Sequence, residues 1–345
     1  MQTLNLVPRS PSTPKEVFLH GVGRLGFVLL KELGDHEPPG WRLRAYDSDP
    51  ELLRCLRWER RHSRLHPEVR LGAGIDFAAD GSAIADADVL LLATPSDEVH
   101  AVLDEVERYA VRPLTIVAST SAIDAGSGEL LSKIIAKRLG PKLAGYAVLA
   151  GEMFACDLLS GDPIMATLAS ADPELVDELR SLFATPRIIL NAETDVVSTE
   201  FTCAATHVLA LLAGCAHGAG IGTTVLARLV IRAAAQMQEL GVEHFGARSE
   251  SFSMASAVWG ASIWMTASGH GEDREVGLLL GRGFAPAEVR QTMRHLRRAC
   301  EGMRSLAGLA RSPGFEECSL LRCLHDFVTE AIDVAAFRAE FRSFR

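Results

Sequence analysis

VFLHGVGRLGF, residues 17–27, is the stretch that decides the fold of this chain. Its first four residues predict a short strand, three glycines follow in the spacing G-x-G-x-x-G, and an apolar helical run comes next. In this spacing Gly21 permits a tight turn, Gly23 lets a pyrophosphate approach the backbone, and Gly26 lets the helix pack closely on the strand. The helix start offers unpaired N–H groups and a positive dipole end to the phosphates. The stretch therefore predicts a dinucleotide-binding unit, with an ordinary strand–turn–helix as the structural alternative.

A carboxylate follows the glycines at the separation that such a unit needs. The run WRLRAY, residues 41–46, predicts a second strand, and Asp47 comes directly after it. A carboxylate about 20 residues beyond the glycines binds the ribose 2′-hydroxyl and repels a 2′-phosphate. Asp47 therefore favours NAD, and the nearby Arg42, Arg44 and Arg54 keep NADP open as the less favoured alternative.

Composition limits the classes of protein that this chain can be. Its 345 residues suggest two domains, and a hydrophobic fraction of 48% is enough for substantial cores. A net charge of −9 argues against a nucleic-acid partner. No apolar run approaches the length of a membrane span, and a polar start predicts a disordered lead-in over residues 1–14 rather than a signal peptide. Seven scattered cysteines without a CxxC pair indicate reduced thiols and a cytoplasmic protein.

Strands and helices alternate through the first half of the chain, and helical periods alone continue from about Asn191. This order predicts a doubly wound parallel α/β domain over 15–191 and an all-α domain over 192–345. The predicted strands are 17–20, 41–46, 69–71, 89–93, 114–118, 146–150, 165–169 and 187–190. The main predicted helices are 27–33, 50–64, 97–109, 128–139, 173–183, 196–216, 223–240, 249–266 and 285–310.

Polar or turn residues follow three of the predicted strands, at Thr94-Pro95, Ser119 to Ser121 and Gly151-Glu152. Ligands of parallel α/β sheets bind at the carboxyl ends of the strands. We therefore expect these three segments to face one cleft.

The order of motifs resembles that of the NAD-dependent glycerol-3-phosphate dehydrogenases from about Val17 to Leu309. The shared motifs are the glycine fingerprint, Ala93-Thr94-Pro95-Ser96, Gly151-Glu152-Met153-Phe154-Ala155, the long helix 200–212, the segment 277–281 and Glu301-Gly302. The resemblance implies an N-terminal Rossmann domain, a helical substrate domain and a dehydrogenase activity on a small molecule. The cofactor contacts expected from the fingerprint and the resemblance are Gly21, Val22, Gly23, Arg24, Leu25, Gly26, Asp47, Thr94, Pro95, Ala155 and Glu301.

The same resemblance shows where the family's catalytic groups are missing. The acid/base lysine of the family's long helix and its neighbouring asparagine fall on Thr206-His207, and no lysine occurs after Lys142. A second family lysine falls near Ser121, and the catalytic aspartate falls near Trp259 to Ala261.

The family's phosphate-binding Arg-Asn pair falls on Glu272-Asp273. A like-charge pair at 4 Å with an effective dielectric of 20 costs about 4 kcal/mol, or near a thousandfold in binding. The sequence therefore predicts a substrate other than glycerol 3-phosphate. With Glu152 also near the expected cleft, a cationic or neutral substrate is favoured.

His207 is the best remaining acid/base, because its ordinary pKa near 6.5 suits proton transfer to a carbonyl or imine. A histidine packed in a helix core is the structural alternative. Glu152 is the second catalytic candidate, with a solvated loop carboxylate as its alternative. Ser121 and Thr206 are candidate hydrogen-bonding groups for the substrate.

Four further residues remain as weaker alternatives. Thr120 offers another hydroxyl, and His217 and His270 are other imidazoles. Cys203 lies four residues before His207 and shares its helix face. One cysteine and one histidine do not complete a metal site, so no metal is predicted.

Two functions remain open from the sequence. The first is an NAD(P)-dependent dehydrogenase or reductase that transfers hydride to or from a small carbonyl, alcohol or imine, with His207 as acid/base. The second is a catalytically inactive NAD-binding homologue that acts as a sensor or partner protein. The apolar segment Val208 to Ala216 could serve a homodimer interface, and helix cores have the same composition.

Overall fold

The structure, a computed structural model, describes residues 14–151, 155–268, 271–293 and 300–343. Most of the predicted lead-in (1–13) and the candidates Glu152 and His270 lie outside the described residues. The chain forms two compact units. Among the described residues, unit 1 comprises 14–120, 135–149 and 155–194, and unit 2 comprises 121–134, 150–151, 195–268, 271–293 and 300–343.

An eight-stranded sheet forms the centre of unit 1, in the order β3-β2-β1-β4-β5-β6-β7-β8. β1 lies between β2 and β4 and is parallel to both, with Val17 opposite Leu43 on one side and Val89 on the other. The chain thus changes direction across the sheet between β1 and β4, where nucleotides bind in doubly wound sheets. The fold class predicted from the sequence is confirmed. The strands are β1 Lys15–His20, β2 Trp41–Tyr46, β3 Ile75–Phe77, β4 Val89–Leu92, β5 Leu114–Ala118, β6 Leu143–Ala150, β7 Ile164–Ala169 and β8 Ile188–Glu193.

Side-chain caps begin several of the helices. Asp49 accepts N–H bonds from Glu51 and Leu52 at the start of α2, and Asp172 and Asp195 cap α6 and α7 in the same way. The helices before Asp195 are α1 Arg24–His36, α2 Pro50–Glu59, α3 Val99–Tyr109, α4 Leu131–Leu139, α5 Ala155–Ser160 and α6 Pro173–Phe183. Those after it are α7 Val196–Gly218, α8 Thr223–Leu240, α9 Trp259–Ser268, α10 Glu272–Gly281, α11 Pro286–Thr292, α12 Glu301–Leu309, α13 Ser319–Val328 and α14 Val334–Ser343.

Two local predictions are wrong in unit 1. Residues 69–71 form a loop instead of a strand, because the Leu71 N–H bonds to the Arg60 carbonyl while its side chain is buried. The strand comes later, as β3. The predicted helix 50–64 ends at Glu59, since Arg60 takes a left-handed conformation with φ 58°. In unit 2 the predicted helix 249–266 divides into a short 3-10 turn, Ser249–Phe252, and α9.

α7 is the core helix of unit 2. Contrary to the expectation from the sequence, its 23 residues have the length and mean hydropathy (1.5) of a membrane-spanning helix. However, 72% of the apolar window is buried inside the fold, as in a core helix of a globular unit. The segment Val208 to Ala216 belongs to this buried core, so its apolar composition does not mark a dimer interface.

Glycines bring α7 and α10 into backbone contact. A Cβ atom at Gly277 would lie 2.3 Å from the Leu211 oxygen, and one at Gly281 would lie 2.1 Å from the Cys215 oxygen. From the α7 side, a Cβ at Gly214 would lie 2.2 Å from the Arg274 oxygen. Any side chain here would separate the two helices, so the glycines set the distance between polar groups that lie one turn earlier on each helix.

Candidate functional site

The glycine loop after β1 folds as the sequence predicts. Gly21 has a φ of 95°, and its N–H donates to the Tyr46 carbonyl at 2.9 Å. A Cβ at Gly21 would lie 2.7 Å from Thr94 Cγ2 and 2.8 Å from Thr94 N. A Cβ at Gly26 would lie 2.1 Å from the Gly21 oxygen. Both glycines are therefore required by close contacts that join the end of β1, the start of α1 and the end of β4.

Asp47 supports this loop from the end of β2. Its side chain is buried; Oδ2 accepts the Val22 N–H at 2.8 Å, and Oδ1 accepts the Asp49 N–H at 2.9 Å. The carboxylate is thus held beside the loop, at the position where the fingerprint places the ribose of the dinucleotide. A 2′-phosphate would meet a buried negative charge there, which favours NAD.

The arginines near Asp47 differ in whether they already have carboxylate partners, which decides how far they can attract a 2′-phosphate. The guanidinium of Arg44 pairs with Glu16 at 3.1 Å and with Asp86 at 3.4 Å, so it already has carboxylate partners. Arg42 and Arg54 are exposed. Any attraction for the 2′-phosphate of NADP would therefore come from Arg42 and Arg54.

His62 is a loop-supporting residue that the sequence reasoning missed. Its Nδ1 accepts N–H bonds from Arg64 and Leu65, both at 3.1 Å, and the ring packs edge-on against Phe27 with centroids 5.5 Å apart. The other ring nitrogen donates to the backbone of Val22. His62 and Asp47 therefore hold the same loop residue from two sides.

Burial of His62, together with the positive charge of Arg64, lowers the pKa of its imidazole to about 4. A proton added to Nδ1 would point at the N–H groups of Arg64 and Leu65, which cannot accept it. Because the unfolded chain binds that proton near pH 6.5 and the folded chain does not, stability is full above pH 6.5 and declines as the pH falls toward 4.

We expect this decline to amount to at most about 3 kcal/mol, since each pKa unit corresponds to about 1.4 kcal/mol and residual solvent screening reduces it. Urea denaturation of the wild type and of His62→Gln between pH 7 and 4 measures it. The glutamine variant should lose this part of the pH dependence, whereas replacing the exposed His36 should not change it. Identical slopes for wild type and His62→Gln would contradict this role.

The loop fits a dinucleotide in two further ways. Gly23 is the N-cap of α1 and has no side chain to satisfy the first-turn N–H groups, and the first turn, which includes Arg24 and Leu25, carries no acid. Thr94 is buried, and its Oγ1 has no hydrogen-bond partner within the described part of the chain. Two other expected cofactor contacts lie where helical turns begin: Pro95 is the N-cap of a 3-10 turn, and Ala155 is the first residue of α5.

Unit 2 holds the acid/base candidate. His207 lies in the middle of α7, and its Nδ1 is 2.8 Å from Asp273 Oδ2 at the start of α10. The other carboxylate oxygen of Asp273 accepts the Gly302 N–H of α12 at 2.9 Å. The Asp273 side chain is 8% exposed and that of His207 is 35% exposed. A buried, twice-bonded carboxylate therefore orients an imidazole that keeps an accessible edge.

The pKa of His207 is well above its ordinary value of 6.5. Burial by itself lowers the pKa, but the hydrogen bonds to Asp273 and to Cys203 and the negative charge of Asp273 raise it by more. The pair with Asp273 therefore favours the protonated imidazole, next to the position where the resemblance implies a lysine.

Several other candidates have structural roles in this fold. Thr206 donates its hydroxyl proton to the Cys203 carbonyl at 2.7 Å, and Thr120 donates to the Thr94 carbonyl. His217 Nδ1 lies 3.3 Å from the guanidinium of Arg274, ten residues or about 15 Å along the helix from His207. Ser121 is buried, and its Oγ has no hydrogen-bond partner among residues of the described ranges, so it remains a candidate donor to a ligand.

Two further positions that the sequence analysis names, Glu301 and Trp259, make local contacts in unit 2. Glu301 begins α12 and pairs with Arg304 at 3.0 Å. Trp259 is buried at the start of α9, where it packs edge-on against Phe252. Among the described residues no group of three or more His, Cys, Asp or Glu side chains is arranged to hold a metal ion.

The two parts of the chain match the two domains of one enzyme family. Residues 16–176 match the NAD-dependent glycerol-3-phosphate dehydrogenase N-terminus, and residues 195–338 match its C-terminus. A relative from Geobacter metallireducens, named glycerol-3-phosphate dehydrogenase NAD(P)+, is 30% identical over 299 residues, which are 86% of this chain and 88% of the relative. The chain belongs to the NAD-dependent glycerol-3-phosphate dehydrogenase family. It is an NAD(P)-dependent oxidoreductase with NAD as its cofactor.

Solved structures agree on the fold of this glycerol-3-phosphate dehydrogenase family member. A glycerol-3-phosphate dehydrogenase from Coxiella burnetii superposes with a TM-score of 0.84 at 20% identity, covering 96% of this chain and 99% of that one. One from Plasmodium falciparum gives a TM-score of 0.80 at 17% identity, covering 97% and 96%. The predicted fold is thereby confirmed over nearly the whole chain.

Asp273 is the partner that sequence reasoning did not assign within this dehydrogenase. A signal for it was present in the glycines, which repeat at four-residue spacing on both helices, Gly214 and Gly218 on α7 and Gly277 and Gly281 on α10. Such small-residue spacing indicates close helix packing. The glycine spacing predicts that the two helices pack closely, but pairing Gly214 with Gly277 would place Asp273 opposite Ala210. The observed contact between Leu211 and Gly277, one turn after both His207 and Asp273, sets the register that brings the imidazole and carboxylate together.

Proposed function

We propose that this NAD-dependent oxidoreductase transfers hydride to or from a small carbonyl, alcohol or imine substrate that is not glycerol 3-phosphate, with His207 as acid/base. The observation that carries the proposal is the 2.8 Å bond between His207 Nδ1 and Asp273. It gives the helix a proton donor one residue from the place where the family's lysine would be, in a chain segment with no lysine.

The bound nicotinamide supplies the hydride chemistry. The residues of this chain supply the proton. Asp273 fixes His207 so that Nδ1 carries a hydrogen bonded to the carboxylate and Nε2 is the nitrogen that exchanges a proton with the substrate oxygen or nitrogen. In reduction the imidazolium donates, and in oxidation the neutral ring accepts.

The charges of α10 support the proposed exclusion of a phosphate ester. Glu272, Asp273 and Glu275 make its first turn acidic, where the resemblance implies an arginine and an asparagine. Glu272 stands where the resemblance implies the phosphate-binding arginine, so its negative charge opposes a phosphate dianion at that position. A neutral or cationic substrate avoids this cost.

A matched pair of substrates tests the proposal. Dihydroxyacetone phosphate and dihydroxyacetone share one carbon skeleton and differ in the phosphate, so NADH oxidation with each isolates the effect of that group. We expect the unphosphorylated ketone to have the higher kcat/KM. A preference for the phosphate ester would overturn the substrate half, and binding of NADH without turnover of any carbonyl or imine would favour the inactive-homologue alternative.

Glu272→Arg should move that preference toward the phosphate ester by about tenfold or more, because it removes a repulsive charge and adds an attractive one. Glu275→Arg is the matched control, since it makes the same change of net charge on the same helical turn at an exposed position. Equal effects of both substitutions would show that only overall charge matters and would remove the local argument.

We further propose that the protein is cytoplasmic and that it forms a homodimer through a surface other than the buried segment Val208 to Ala216. Its seven cysteines include no CxxC pair, which is typical of reducing compartments. Light scattering on the purified chain tests the oligomeric state directly.

A further inference from the structure

Helix α8 of unit 2 has an outer face with exposed apolar side chains. Ile231, in the middle of the helix, is 56% exposed, and Val242, two residues after the helix ends, is 38% exposed. Ala235, one turn after Ile231, is exposed as well. The opposite face of the same helix is buried in the core of unit 2. A helix that is apolar on both faces is typical of one that packs on its own core and on a second surface.

Two opposite charges lie on this outer face, and neither has a hydrogen-bond or ion-pair partner within the described part of the chain. Arg228 lies one turn before Ile231, Glu239 lies one turn after Ala235, and both side chains are exposed. The eleven positions from 228 to 239 are about three helical turns, so both charges are on the same side of the helix. They are also about 16 Å apart along its axis and cannot pair within one chain.

We propose that this face, made by Arg228, Ile231, Ala235 and Glu239, is a homodimer interface on which α8 of a second copy packs in the antiparallel direction. The inference rests on the homodimer proposed above and names its surface. A two-fold interface brings the same patch of both copies together, so the patch must be complementary to itself. The outer face of α8 meets this condition, because its first half carries the positive charge and its second half the negative one.

The register follows from a two-fold axis level with Ala233, midway between Ile231 and Ala235. Ile231 of each copy then faces the small Ala235 of the other, which leaves room for the larger side chain. Arg228 of one copy comes within one residue, or about 1.5 Å along the axis, of Glu239 of the other, and the symmetry makes this contact twice. A parallel pairing would instead place like charges opposite each other, which is unfavourable.

The length of α8 indicates how strong this dimer is. Its 18 residues extend over about 27 Å. One helix packed on one helix is at the small end of specific interfaces. We therefore expect a dissociation constant in the micromolar range and a dimer fraction that rises with protein concentration.

Exchange of the two charges tests the contact without removing apolar surface. In sedimentation equilibrium of the full chain, Arg228→Glu and Glu239→Arg should each raise the dimer Kd by about tenfold or more, because each places two like-charge pairs in the dimer. The double variant restores opposite charges, so its Kd should return to within about threefold of the wild type. Arg282→Glu is the matched control, since it makes the same charge change at an exposed residue at the end of α10 and should leave the Kd unchanged.

Cross-linking tests the direction of the two helices. A short bismaleimide should link Ala235→Cys to its own copy, because an antiparallel pair places the two positions about 6 Å apart along the axis. Thr224→Cys should not be linked to its copy, since the same pair separates these positions by about 27 Å along the axis. The wild type is the control for the native cysteines. Efficient linkage at position 224 would show a parallel pair and would overturn the proposed register.

The outcomes separate this inference from the homodimer on which it rests. A wild-type chain that stays monomeric at every concentration measured would overturn both. A dimer that Arg228→Glu does not weaken, or a double variant as weak as the single variants, would overturn the α8 interface alone and would assign the homodimer to another surface.

Discussion

Replacing His207 with glutamine should lower kcat for carbonyl reduction by about 100- to 10,000-fold while the affinity for NADH stays unchanged. This is the range that a positioned general acid contributes. Glutamine keeps a hydrogen-bonding group near Asp273 but cannot carry the proton that the 2.8 Å His207–Asp273 pair provides. Stopped-flow kinetics of carbonyl reduction measure the rate, and fluorescence titration with NADH measures the affinity.

The pH profile gives a second measurement of the same role. Because the folded pKa of His207 lies well above 6.5, the reduction rate should stay constant through pH 6.5 and fall only at higher pH, as the imidazolium is lost. The contribution of the His207–Asp273 pair to the free energy of unfolding depends on pH in the same direction. It is complete below pH 6.5 and is lost as the pH rises through the folded pKa of His207. Asp273→Asn should move the midpoint of the rate profile to lower pH.

His217→Gln is the control for this experiment, because His217 lies on the same helix and contacts Arg274 instead of Asp273. It should retain activity and the wild-type pH profile. A full loss in His217→Gln, or an unchanged midpoint in Asp273→Asn, would show that the His207–Asp273 pair does not carry the proton.

The fold of unit 1 could be predicted because its signals are local. The fingerprint 21–26 combines a turn that needs positive φ with two close backbone contacts, and glycine alone satisfies all three. The apolar run of β4 predicts a strand covered on both faces. In each case neighbouring residues determine the structure, so a short window of sequence contains the information.

The candidate site was predicted only in part, because its geometry depends on residues far apart in the chain. His207 and Asp273 are separated by 66 positions and meet through the packing of α7 on α10. His62 lies in an irregular segment whose role comes from contacts with Val22 and Phe27, about forty residues earlier. No periodicity marks such pairs, so the sequence identified the imidazole at 207 and not the carboxylate that orients it.

Gly21→Ala should weaken NADH binding by about a hundredfold or more. The added Cβ would lie 2.7 Å from Thr94 Cγ2, 2.8 Å from Thr94 N and 2.9 Å from the Ala93 carbonyl carbon. Two of these three are backbone atoms, so no side-chain rotation relieves the contact, and the glycine loop must move away from the end of β4. A φ of 95° adds backbone strain of about 1–2 kcal/mol for a residue with a side chain.

Gly40→Ala distinguishes the effect of backbone strain at positive φ from the effect of a steric contact. Gly40 also has a positive φ, 81°, but a Cβ there would meet nothing within 4 Å. It lies directly before Trp41, at the opposite end of β2 from Asp47, so its alanine variant should lose stability without losing NADH affinity. Calorimetric titration and urea denaturation of both variants give the comparison. Because both variants carry backbone strain and only Gly21→Ala forces the loop from Thr94, equal NADH affinities would show that the loop does not hold the dinucleotide.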